Sequence, residues 1–528
     1  MSDTTARVDL YGLRLPRLRF KLGERLVDAL ADPRRRDKVV LGLIVAYAAV
    51  WTLYGIVTKS VHDMQYDAAE IVAWSHHLAL GYTKHPPLAA WIVRAWFTIF
   101  PIADWSYYLL DMSYAAFGLW IAWHLFGRLL DADKRIAALV LLTFVPYYNF
   151  FALRFDHNAV LGPLWGATAL CFFRSFATRS APWAALAGIA AAAAMLGKYW
   201  SIFLLAGLVL AALVDARRGA YFRSAAPWIT VLVGAAALAP HVIWLVHNEY
   251  ISFNYALDVH EMGSVGHTAM GVLRYLGGAV GYAAVPLIAV VLLGAPNAAA
   301  FADMLLPRAP ERRIVAVTFW TALLLPVPVA FVLHYEINPI WTLADFILLP
   351  LVLLASPLLT GRREVLAPMV GFAAVLPLGL LALSPAIALA IHLQGVDPSE
   401  LYPRLLSQRV EAEWHHTTAK PLRVVGGDFG LANSVAFYLP EQPAPYAVRE
   451  PEDAPWVTPA SIVRDGAVMV CHIFDNDHAC TPLLQQAIDK AIAGNPPPRH
   501  VEVTLTRDFL GIAGKPQRYL ILIAPPAQ

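Results

Sequence analysis

Charged residues and cysteines are both scarce in this sequence. Only 15% of its 528 residues are charged and 58% are hydrophobic, whereas an ordinary soluble domain carries about 25% charged residues. Three cysteines are too few for a disulfide-rich secreted scaffold. A net charge of +2 shows no basic excess of the kind that binds nucleic acid, so no nucleic-acid partner is expected. The composition instead predicts a protein whose surface largely faces membrane lipid.

A cleavable signal peptide is also lacking. The first apolar run follows about 38 residues rich in Arg and Lys, a longer lead than a signal peptide has. Residues 13–30 within that lead are basic and partly amphipathic. Two interpretations stay open for them, a helix lying on anionic lipid and a solvated tail that sets orientation. Under either interpretation we expect residues 1–38 to be a cytoplasmic basic segment.

Long apolar runs fill residues 39–394. A spanning helix requires about 20 apolar residues, so these runs predict an α-helical polytopic membrane domain with about 11 spans. The expected spans are 39–58, 106–125, 136–153, 159–177, 183–197, 201–214, 226–246, 270–294, 314–333, 341–359 and 365–394. A shorter run at 86–101 follows two prolines and predicts an interfacial or re-entrant helix in the first outer loop, 59–105.

Basic residues test this arrangement independently through the positive-inside rule. With the N-terminus in the cytoplasm, every Arg- and Lys-rich cluster falls on the cytoplasmic side; the clusters lie at 128–135, 174–179, 217–223, 308–313 and 362–363. Basic clusters on both sides of 182–214 require an even number of crossings between them. We therefore expect two short spans there, meeting at Gly197–Trp200. The pattern predicts a multi-pass protein of the bacterial inner membrane with its C-terminal part in the periplasm.

In residues 395–528 the long apolar runs give way to short runs of alternating apolar and polar residues. This pattern predicts a small periplasmic α/β domain. Strands are expected at 422–425, 468–472, 501–505 and 519–523, with one capped helix at Thr481–Ala493. Cys471 and Cys480 can pair in an oxidising compartment. A metal loop at His472, Asp475, Asp477 and His478 is the alternative, and a polar loop closed by a disulfide is favoured.

Ionisable residues gather in the outer loops, which topology alone does not require. Asp67 and Glu70 lie one helical turn apart in the first outer loop. Of two carboxylates at this spacing, one can act as a general base and the other can hold a metal or a sugar hydroxyl in position. The plainer interpretation is a helix cap, with Asp67 at the N-cap. Lys84 and His85 then precede two prolines, which aim them in a fixed direction. The loops therefore point to chemistry on the outer face.

The Asp-x-x-Glu segment, followed after about a dozen residues by His-Pro-Pro-Leu-x-x-Trp at 85–91, resembles the first periplasmic loop of the family-39-like glycosyltransferases. These are C-type enzymes that include protein O-mannosyltransferases and lipid A aminoarabinose transferases. The similarity continues through Arg-Phe-Asp-His-Asn at 154–158 and Gly-Lys-Tyr at 197–199. It extends to the order of spans and the trailing soluble domain.

The resemblance implies a C-type bundle and an inverting transfer of a monosaccharide from a polyprenyl-phosphate donor. The implied acceptor is a lipid-linked or cell-envelope glycan, such as lipopolysaccharide, at the periplasmic face. Asp67 would be the general base, with Glu70 beside it. A phosphate leaving group needs preorganised cations, and the candidates to hold it are Lys198, Arg154, Lys84 and His85. Residues expected at the sugar or acceptor are Tyr66, Asp156, His157, Tyr199, His334, Tyr335 and Glu336.

Plainer interpretations accompany these assignments. A basic residue at a span end can simply snorkel to the interface, and for Arg274 that interpretation is favoured. Relatives carry an acid where this chain has Lys84, and in some of them that acid helps to bind a divalent cation. A metal cofactor is therefore left open, and no metal ligands are assigned.

Two other functions suit a polytopic chain, namely a transporter or flippase and a non-catalytic subunit of cell-envelope polysaccharide assembly. A transporter predicts charged residues paired in the middle of spans. Here the span centres are nearly free of charge, with Asp111 and Asp345 the main exceptions. The enzyme is thus the favoured function, while the sugar, the acceptor and the oligomeric state are not identified by the sequence.

Cysteines placed at Pro296 and Pro459 test the topology. Residue 296 is expected inside and residue 459 outside, so a membrane-impermeant thiol reagent should modify only the second. Modification of both, or of the first alone, would overturn the arrangement and the shared outer face of the site.

Overall fold

Apolar runs become helices throughout the first three quarters of the chain, because a helix satisfies all of its backbone hydrogen bonds internally where water is absent. The structure is a computed structural model that describes residues 21–395, 402–473 and 480–527. Its helices up to residue 395 are α1 (Lys21–Ala31), α2 (Arg36–Thr58), α3 (Tyr66–His76), α4 (Leu88–Phe97), α5 (Asp104–Phe126), α6 (Ala132–Thr143), α7 (Leu161–Thr178), α8 (Ala181–Gly197), α9 (Ile202–Val214), α10 (Arg218–Phe222), α11 (Ala226–His247), α12 (Ile251–Val259), α13 (Val265–Gly294), α14 (Ala298–Leu305), α15 (Pro310–Leu324), α16 (Pro326–Leu333), α17 (Leu349–Leu354) and α18 (Arg363–Gln394).

Several of these helices have the length and composition of membrane spans. Within the described residues, six segments qualify, and they are Arg36–Val61, Asp104–Phe126, Ala226–His247, Val265–Gly294, Pro310–Leu333 and Arg363–Gln394. Each coincides with an expected span. Shorter apolar helices, among them Ala181–Gly197 and Tyr199–Val214, match two others. The chain is a multi-pass membrane protein, and the count of about 11 spans stays a prediction.

Residues 182–214 form two helices, as predicted from the basic clusters. α8 ends at Gly197, Lys198 is extended (φ −163°, ψ 137°), and a short 3-10 turn leads into α9. Two other expected spans are only partly helical. The third ends its helix at Thr143, because Pro146 disfavours helical backbone just before it. The tenth is broken into 3-10 turns and the short α17, beginning at Pro339.

Close helix packing holds the membrane part together. Trp51, Trp123 and Trp165 are among its largest fully buried side chains. At Gly188 of α8, an added Cβ would lie 2.5 Å from the carbonyl oxygen of Thr230 on α11. Only glycine allows that backbone approach, so α8, the helix that ends just before Lys198, packs closely against α11.

A small α/β domain follows, as the sequence predicts. Its helices are α19 (Pro403–Thr417), α20 (Phe429–Tyr438), α21 (Pro459–Asp465) and α22 (Pro482–Ala491), and its strands are β1 (Val424–Gly427), β2 (Ala444–Ala447), β3 (Ala467–Ile473), β4 (Arg499–Leu505), β5 (Asp508–Phe509), β6 (Ile512–Ala513) and β7 (Gln517–Ala524). The main sheet has the order β2-β1-β3-β7-β4. β1 runs parallel to β2 and β3, and β7 runs antiparallel to β3 and β4.

All four expected strands are present, whereas β2 and the helices α19 and α20 were not predicted. β2 reads Ala-Pro-Tyr-Ala, too short and too poor in β-branched residues to signal a strand. Cys471 and Cys480 form a disulfide with Cα atoms 5.5 Å apart, as the favoured interpretation of that loop expected. His472 contacts Gln517 through its ring. Asp475, Asp477 and His478 lie outside the described residues.

The α/β domain docks on the first outer loop through charged and polar contacts. Asp63 Oδ1 lies 2.6 Å from Arg507 Nη2, and its Oδ2 accepts the backbone N–H of Arg404 at 3.0 Å. Tyr438 donates its hydroxyl proton to Asp104 at 2.6 Å. Because the Asp63 side chain is only 1% exposed, these contacts secure the domain against the loop.

Arg507→Met should weaken this docking by roughly 3 kcal/mol, since it removes one partner of a buried ion pair. The control Arg518→Met breaks a pair whose side chains are 52% and 66% exposed, and should cost at most about 1 kcal/mol. Thermal unfolding and limited proteolysis near residues 395–403 measure the difference. Equal effects of the two substitutions would show that the Asp63 contact does not hold the domain.

Candidate active site

Helix α3 carries both acids of the first outer loop. Its N-cap is Gln65, which makes no side-chain capping bond, and Asp67 lies within the first turn. The capping interpretation of Asp67 is therefore wrong, because the helix begins one residue before it. The Asp67 side chain is 32% exposed and that of Glu70 only 6%. Asp67 thus opens to its surroundings while Glu70, one turn later, is enclosed.

Arg154 joins Asp67 to Asp156. Its Nη2 donates to Asp67 Oδ2 at 2.5 Å, and its Nε lies 3.5 Å from Asp156 Oδ2. Among the described residues, no side chain or backbone group donates a hydrogen bond to Asp67 Oδ1. Burial raises the pKa of Asp67, and the neighbouring Arg154 only partly opposes that rise. One Asp67 oxygen is thus held while the other is free to accept a proton.

Lys198 continues the same polar chain. Its Nζ donates to Asn158 Oδ1 at 2.6 Å, and Asp156 Oδ1 accepts the backbone N–H of Asn158 at 2.7 Å. The ammonium also lies 4.7 Å from the ring centre of Trp341. Burial lowers the pKa of Lys198 to about 8, although Asp156 and Asp67 act in the opposite direction. The sequence therefore folds two cations and two carboxylates, far apart along the chain, into one connected group.

Two neutral imidazoles lie beside this group. The rings of His85 and His157 stack with centres 3.8 Å apart, and Trp74 packs against His157 at 5.8 Å. Burial and the nearby Lys198 lower the pKa of His157 to about 3, and burial lowers that of His85 well below its usual value. Both rings are uncharged at neutral pH. They offer hydrogen bonds rather than positive charge.

Lys84 lies in a second cluster at the seam with the α/β domain. Its Nζ is 2.7 Å from Asp453 Oδ2, 3.4 Å from Glu70 Oε1 and 3.5 Å from Glu450 Oε2. Burial raises the pKa of Glu70, and the positive charge of Lys84 opposes that rise. Burial would lower the pKa of Lys84, but Glu70 and Asp453 outweigh it and raise that pKa. Lys84 is therefore charged, and its charge is directed at carboxylates.

A cavity of about 310 Å³ opens beside Arg154. Its walls are the ends of α2, α5 and α18 together with the start of the first outer loop; the lining residues are Tyr54, Thr58, Lys59, His62, Asp63, Met64, Gln65, Ala68, Tyr107, Tyr108, Asp111, Phe150, Leu153, Arg154 and Ile391. Asp111 Oδ1 accepts the backbone N–H of Phe155 at 3.0 Å, which fixes the turn that carries Arg154. Its Oδ2 is buried and has no hydrogen-bond partner within the described residues. The cavity therefore combines aromatic walls with charged groups.

The remaining expected residues divide between the site and its surroundings. The ring of Tyr335 lies 6.3 Å from Trp341, whose ring is 4.7 Å from the Lys198 ammonium, so the 334–336 loop lies near Lys198 through that tryptophan. Tyr199 stacks on Phe253 at 4.3 Å, and its hydroxyl lies 2.9 Å from His241 Nε2.

Tyr66 packs against Phe429 of the α/β domain, with ring centres 6.3 Å apart. The structure thus gathers Asp67, Arg154, Asp156, His157 and Lys198, and leaves the 334–336 loop and the two tyrosines around them.

Sequence reasoning assigned no role to Asn158, Asp111, Glu450 or Asp453. Asp111 carried a usable signal, because a carboxylate in an otherwise apolar span is a functional candidate by default. Asn158 stood within the 154–158 motif but was not singled out. Glu450 and Asp453 gave no signal, since nothing local shows that residues about 380 positions after Glu70 return to it. Within the described residues, no three His, Cys, Asp or Glu side chains are grouped as a metal site.

Comparisons with known proteins show which proteins this chain is similar to. Residues 84–244 match the family described as dolichyl-phosphate-mannose-protein mannosyltransferase. The chain is 29% identical over 263 residues to the lipopolysaccharide core galacturonosyltransferase RgtB of Rhizobium johnstonii, covering 47% of this chain and 49% of that protein. It is 26% identical over 264 residues to RgtA of the same organism, covering 47% and 50%. The match thus spans about half the length of these curated relatives.

Solved structures share the fold over almost the whole chain. The crystal structure of ArnT from Cupriavidus metallidurans bound to undecaprenyl phosphate superposes with a TM-score of 0.59 at 15% identity, covering 92% of this chain and 99% of that one. The apo structure of the same protein gives a TM-score of 0.57 at 12% identity, with the same coverage. These findings confirm the resemblance seen in the sequence: residues 84–244 are similar to the mannosyltransferase family, and the chain shares the fold of ArnT.

Proposed function

We propose that this chain is an inverting glycosyltransferase that moves a monosaccharide from a polyprenyl-phosphate donor to a lipid-linked or cell-envelope glycan. One observation carries the proposal: Asp67, with one free carboxylate oxygen, shares a hydrogen-bonded chain with the cations Arg154 and Lys198. Transfer from a phosphate leaving group requires a base that activates the acceptor hydroxyl and cations that stabilise the departing phosphate. The relatives' names support the substrates, since one concerns the lipopolysaccharide core and another a bound undecaprenyl phosphate.

Asp67 acts as general base in the proposed reaction. The acceptor hydroxyl attacks the anomeric carbon from the face opposite the phosphate, and Asp67 Oδ1 takes its proton as the new glycosidic bond forms. The bond from the anomeric carbon to the phosphate oxygen breaks with its electron pair, and polyprenyl phosphate leaves. Because burial raises the pKa of Asp67, its carboxylate is a better proton acceptor than one in water.

Arg154 and Lys198 are proposed to bind the departing phosphate. Arg154 contacts Asp67 directly and is 41% exposed, so it can face the phosphate while it orients the base. Lys198 lies between two short helices, in a position where its ammonium is partly removed from water and therefore acts more strongly on a nearby anion. His85 is proposed to contribute a neutral hydrogen bond to the phosphate. Lys84 is instead assigned to Glu70 and the α/β domain, because its ammonium is occupied by carboxylates.

The cavity beside Arg154 is proposed to hold the sugar. Its volume of about 310 Å³ lies at the lower end of small-molecule sites, which run from about 300 to 1,000 Å³, so it suits a single sugar. Tyr66 precedes Asp67 on α3, and Asp156 is joined to Asp67 through Arg154. These two residues and His157 are proposed to orient sugar or acceptor hydroxyls. Tyr199 and residues 334–336 are proposed to line the outer approach of the acceptor.

The proposed reaction takes place at the periplasmic face of a bacterial inner membrane. All proposed residues belong to the loops assigned to the outer side by the basic clusters, and the donor's lipid tail requires a site at the membrane interface. With the N-terminus in the cytoplasm, the α/β domain covers the site from the periplasm.

Asp67→Asn should lower transfer by about 10²–10⁴-fold, the usual worth of general-base assistance. Asparagine keeps the shape and can still accept the Arg154 hydrogen bond, so the protein should fold normally. Glu70→Gln is the matched control and should cost less, because Glu70 is enclosed and has a positioning role. Turnover of polyprenyl-phosphate sugar by the purified variants measures both. Normal turnover by a folded Asp67→Asn protein would place the base elsewhere, with Asp156 the next candidate.

Lys198→Ala should reduce kcat/KM for the donor by about 10- to 150-fold, the equivalent of a charge-assisted hydrogen bond of roughly 1.5–3 kcal/mol. Arg274→Ala is the control, since Arg274 lies exposed on α13 and is expected only to snorkel. The Lys198 pKa of about 8 adds a pH test. The ammonium is present below that pH and lost above it, so donor KM should rise above about pH 8 and stay level in Lys198→Arg. Equally mild effects of both alanine substitutions would remove Lys198 from the phosphate site.

A further inference from the structure

Lys84 occupies the position where, by the resemblance, relatives carry an acid that helps some of them to bind a divalent cation. In this chain its ammonium lies within 3.5 Å of three carboxylates and its side chain is only 7% exposed. Glu70 belongs to α3, whereas Asp453 and Glu450 belong to the α/β domain. A single ammonium is therefore shared between the helix that carries Asp67 and the domain packed on it.

The surrounding carboxylates require a cation at this point. The side chains of Glu70 and Asp453 are 6% and 8% exposed, and buried carboxylates are unfavourable unless they are paired. The ring of Phe429 lies 3.3 Å from the ammonium and favours a positive charge through its face. Without the Lys84 charge, two enclosed acids would face each other unpaired.

A divalent ion does not fit beside this ammonium. Magnesium and calcium take about six or more oxygen ligands at roughly 2.0–2.6 Å. The carboxylates that could supply them point at Lys84 Nζ, with the nearest oxygen at 2.7 Å. The space at their centre is thus filled by the lysine, and a metal there would be pressed against a like charge. The residues present do not fit the metal that the resemblance left open.

The same seam packs α3 directly. Tyr66 lies against Phe429 and Gly430 of the α/β domain, and the ring of His77 stacks on Trp456 with centres 4.3 Å apart. The two ends of α3 are therefore held by contacts with that domain. The Lys84 cluster lies at Glu70, between these ends and one turn from Asp67.

We propose that Lys84 is a built-in cation that takes the place of a bound divalent ion, and that it positions α3 by tying Glu70 to Asp453. Asp67 is then held against Arg154, which lines the cavity, without any metal. Lys84 is a positioning residue, since it acts on the reaction through α3. Its effect on catalysis rests on the proposed function, whereas its replacement of a metal is testable without any activity.

The test compares the full-length protein with Lys84→Met and Lys84→Glu, purified in lipid nanodiscs. Chelator should change neither the melting temperature nor the transfer rate of the unmodified protein, which should carry no tightly bound divalent metal. Lys84→Met should lower kcat by about 10²-fold, as expected when a reacting group is misplaced by about 1 Å, with little change in donor KM. A variant that simply folds less well would instead lower the amount of active enzyme and the melting temperature of the preparation, and the remaining folded protein would keep the normal kcat.

Lys84→Glu is the sharper variant, because it gathers four carboxylates. Calorimetry should show that this variant binds Mn²⁺, and added Mn²⁺ should raise its melting temperature. Mn²⁺ should also restore its sugar transfer, and a chelator should abolish the restored activity. Lys490→Glu is the matched control on an exposed face of α22 and should show no response to Mn²⁺. If Lys84→Glu binds no Mn²⁺, or if Lys84→Met transfers sugar normally, the proposal is overturned.

Two further outcomes keep the inference separate from the proposed function. If no donor is turned over by the unmodified protein, the proposed function fails, and the Mn²⁺ response of Lys84→Glu still decides the role of Lys84. If Lys84→Glu does not fold, Lys84→Met is compared with Lys84→Met/Asp453→Asn. Removal of the unpaired acid should restore melting temperature in the double variant, and failure to do so would contradict the ion cluster.

Discussion

The ion pair between Asp67 and Arg154 is the interaction on which the arrangement of the site depends. It connects a short helix of the first outer loop to a turn nearly 90 residues later, 2.5 Å apart at the closest atoms. Arg154 also lies close to Asp156, and Asp67 keeps its Oδ1 available to accept a proton. Through Asp156 and Asn158 the same chain reaches Lys198 at the end of α8. A change at any of these residues is therefore felt at the others.

Enclosure gives this polar chain its chemical properties. Burial raises the pKa of Asp67 and lowers that of Lys198 to about 8. The pKa values of the proposed proton acceptor and of the proposed phosphate-binding cation are therefore both shifted toward neutral pH. Burial also keeps His157 uncharged. The α/β domain contributes to this enclosure, since its Asp453, Glu450 and Phe429 contact Lys84 beside Glu70 of α3. The soluble domain is thus part of the site rather than an appendage.

The helices and the main strands were predictable from the sequence because their signals are local. Apolar runs predict the long helices, and the basic clusters predict the break at Lys198. Alternating apolar and polar residues predict β3, β4 and β7. Where the prediction failed, the cause was also physical: Pro146 ends a helix inside an apolar run, and the cap of α3 is Gln65, a residue with weak capping preference. Periodicity reports neither feature.

The site was predictable only in part. Asp67, Arg154 and Lys198 stand in motifs that a reader of the sequence can find, and the structure brings them together. Lys84 was expected at the phosphate, yet in the structure its ammonium lies 2.7 Å from Asp453, a residue more than 360 positions later. Long-range contacts of this kind leave no trace in local sequence.

In the proposed reaction, polyprenyl phosphate leaves as the sugar is transferred to an acceptor with inversion of its anomeric configuration. The most direct measurement incubates the purified protein with polyprenyl-phosphate sugars and a lipopolysaccharide acceptor, and follows both products by mass spectrometry and NMR. The account predicts one free polyprenyl phosphate for each sugar transferred, with the new linkage opposite in anomeric configuration to the donor. Retention of configuration, or no cleavage of any polyprenyl-phosphate sugar, would contradict it.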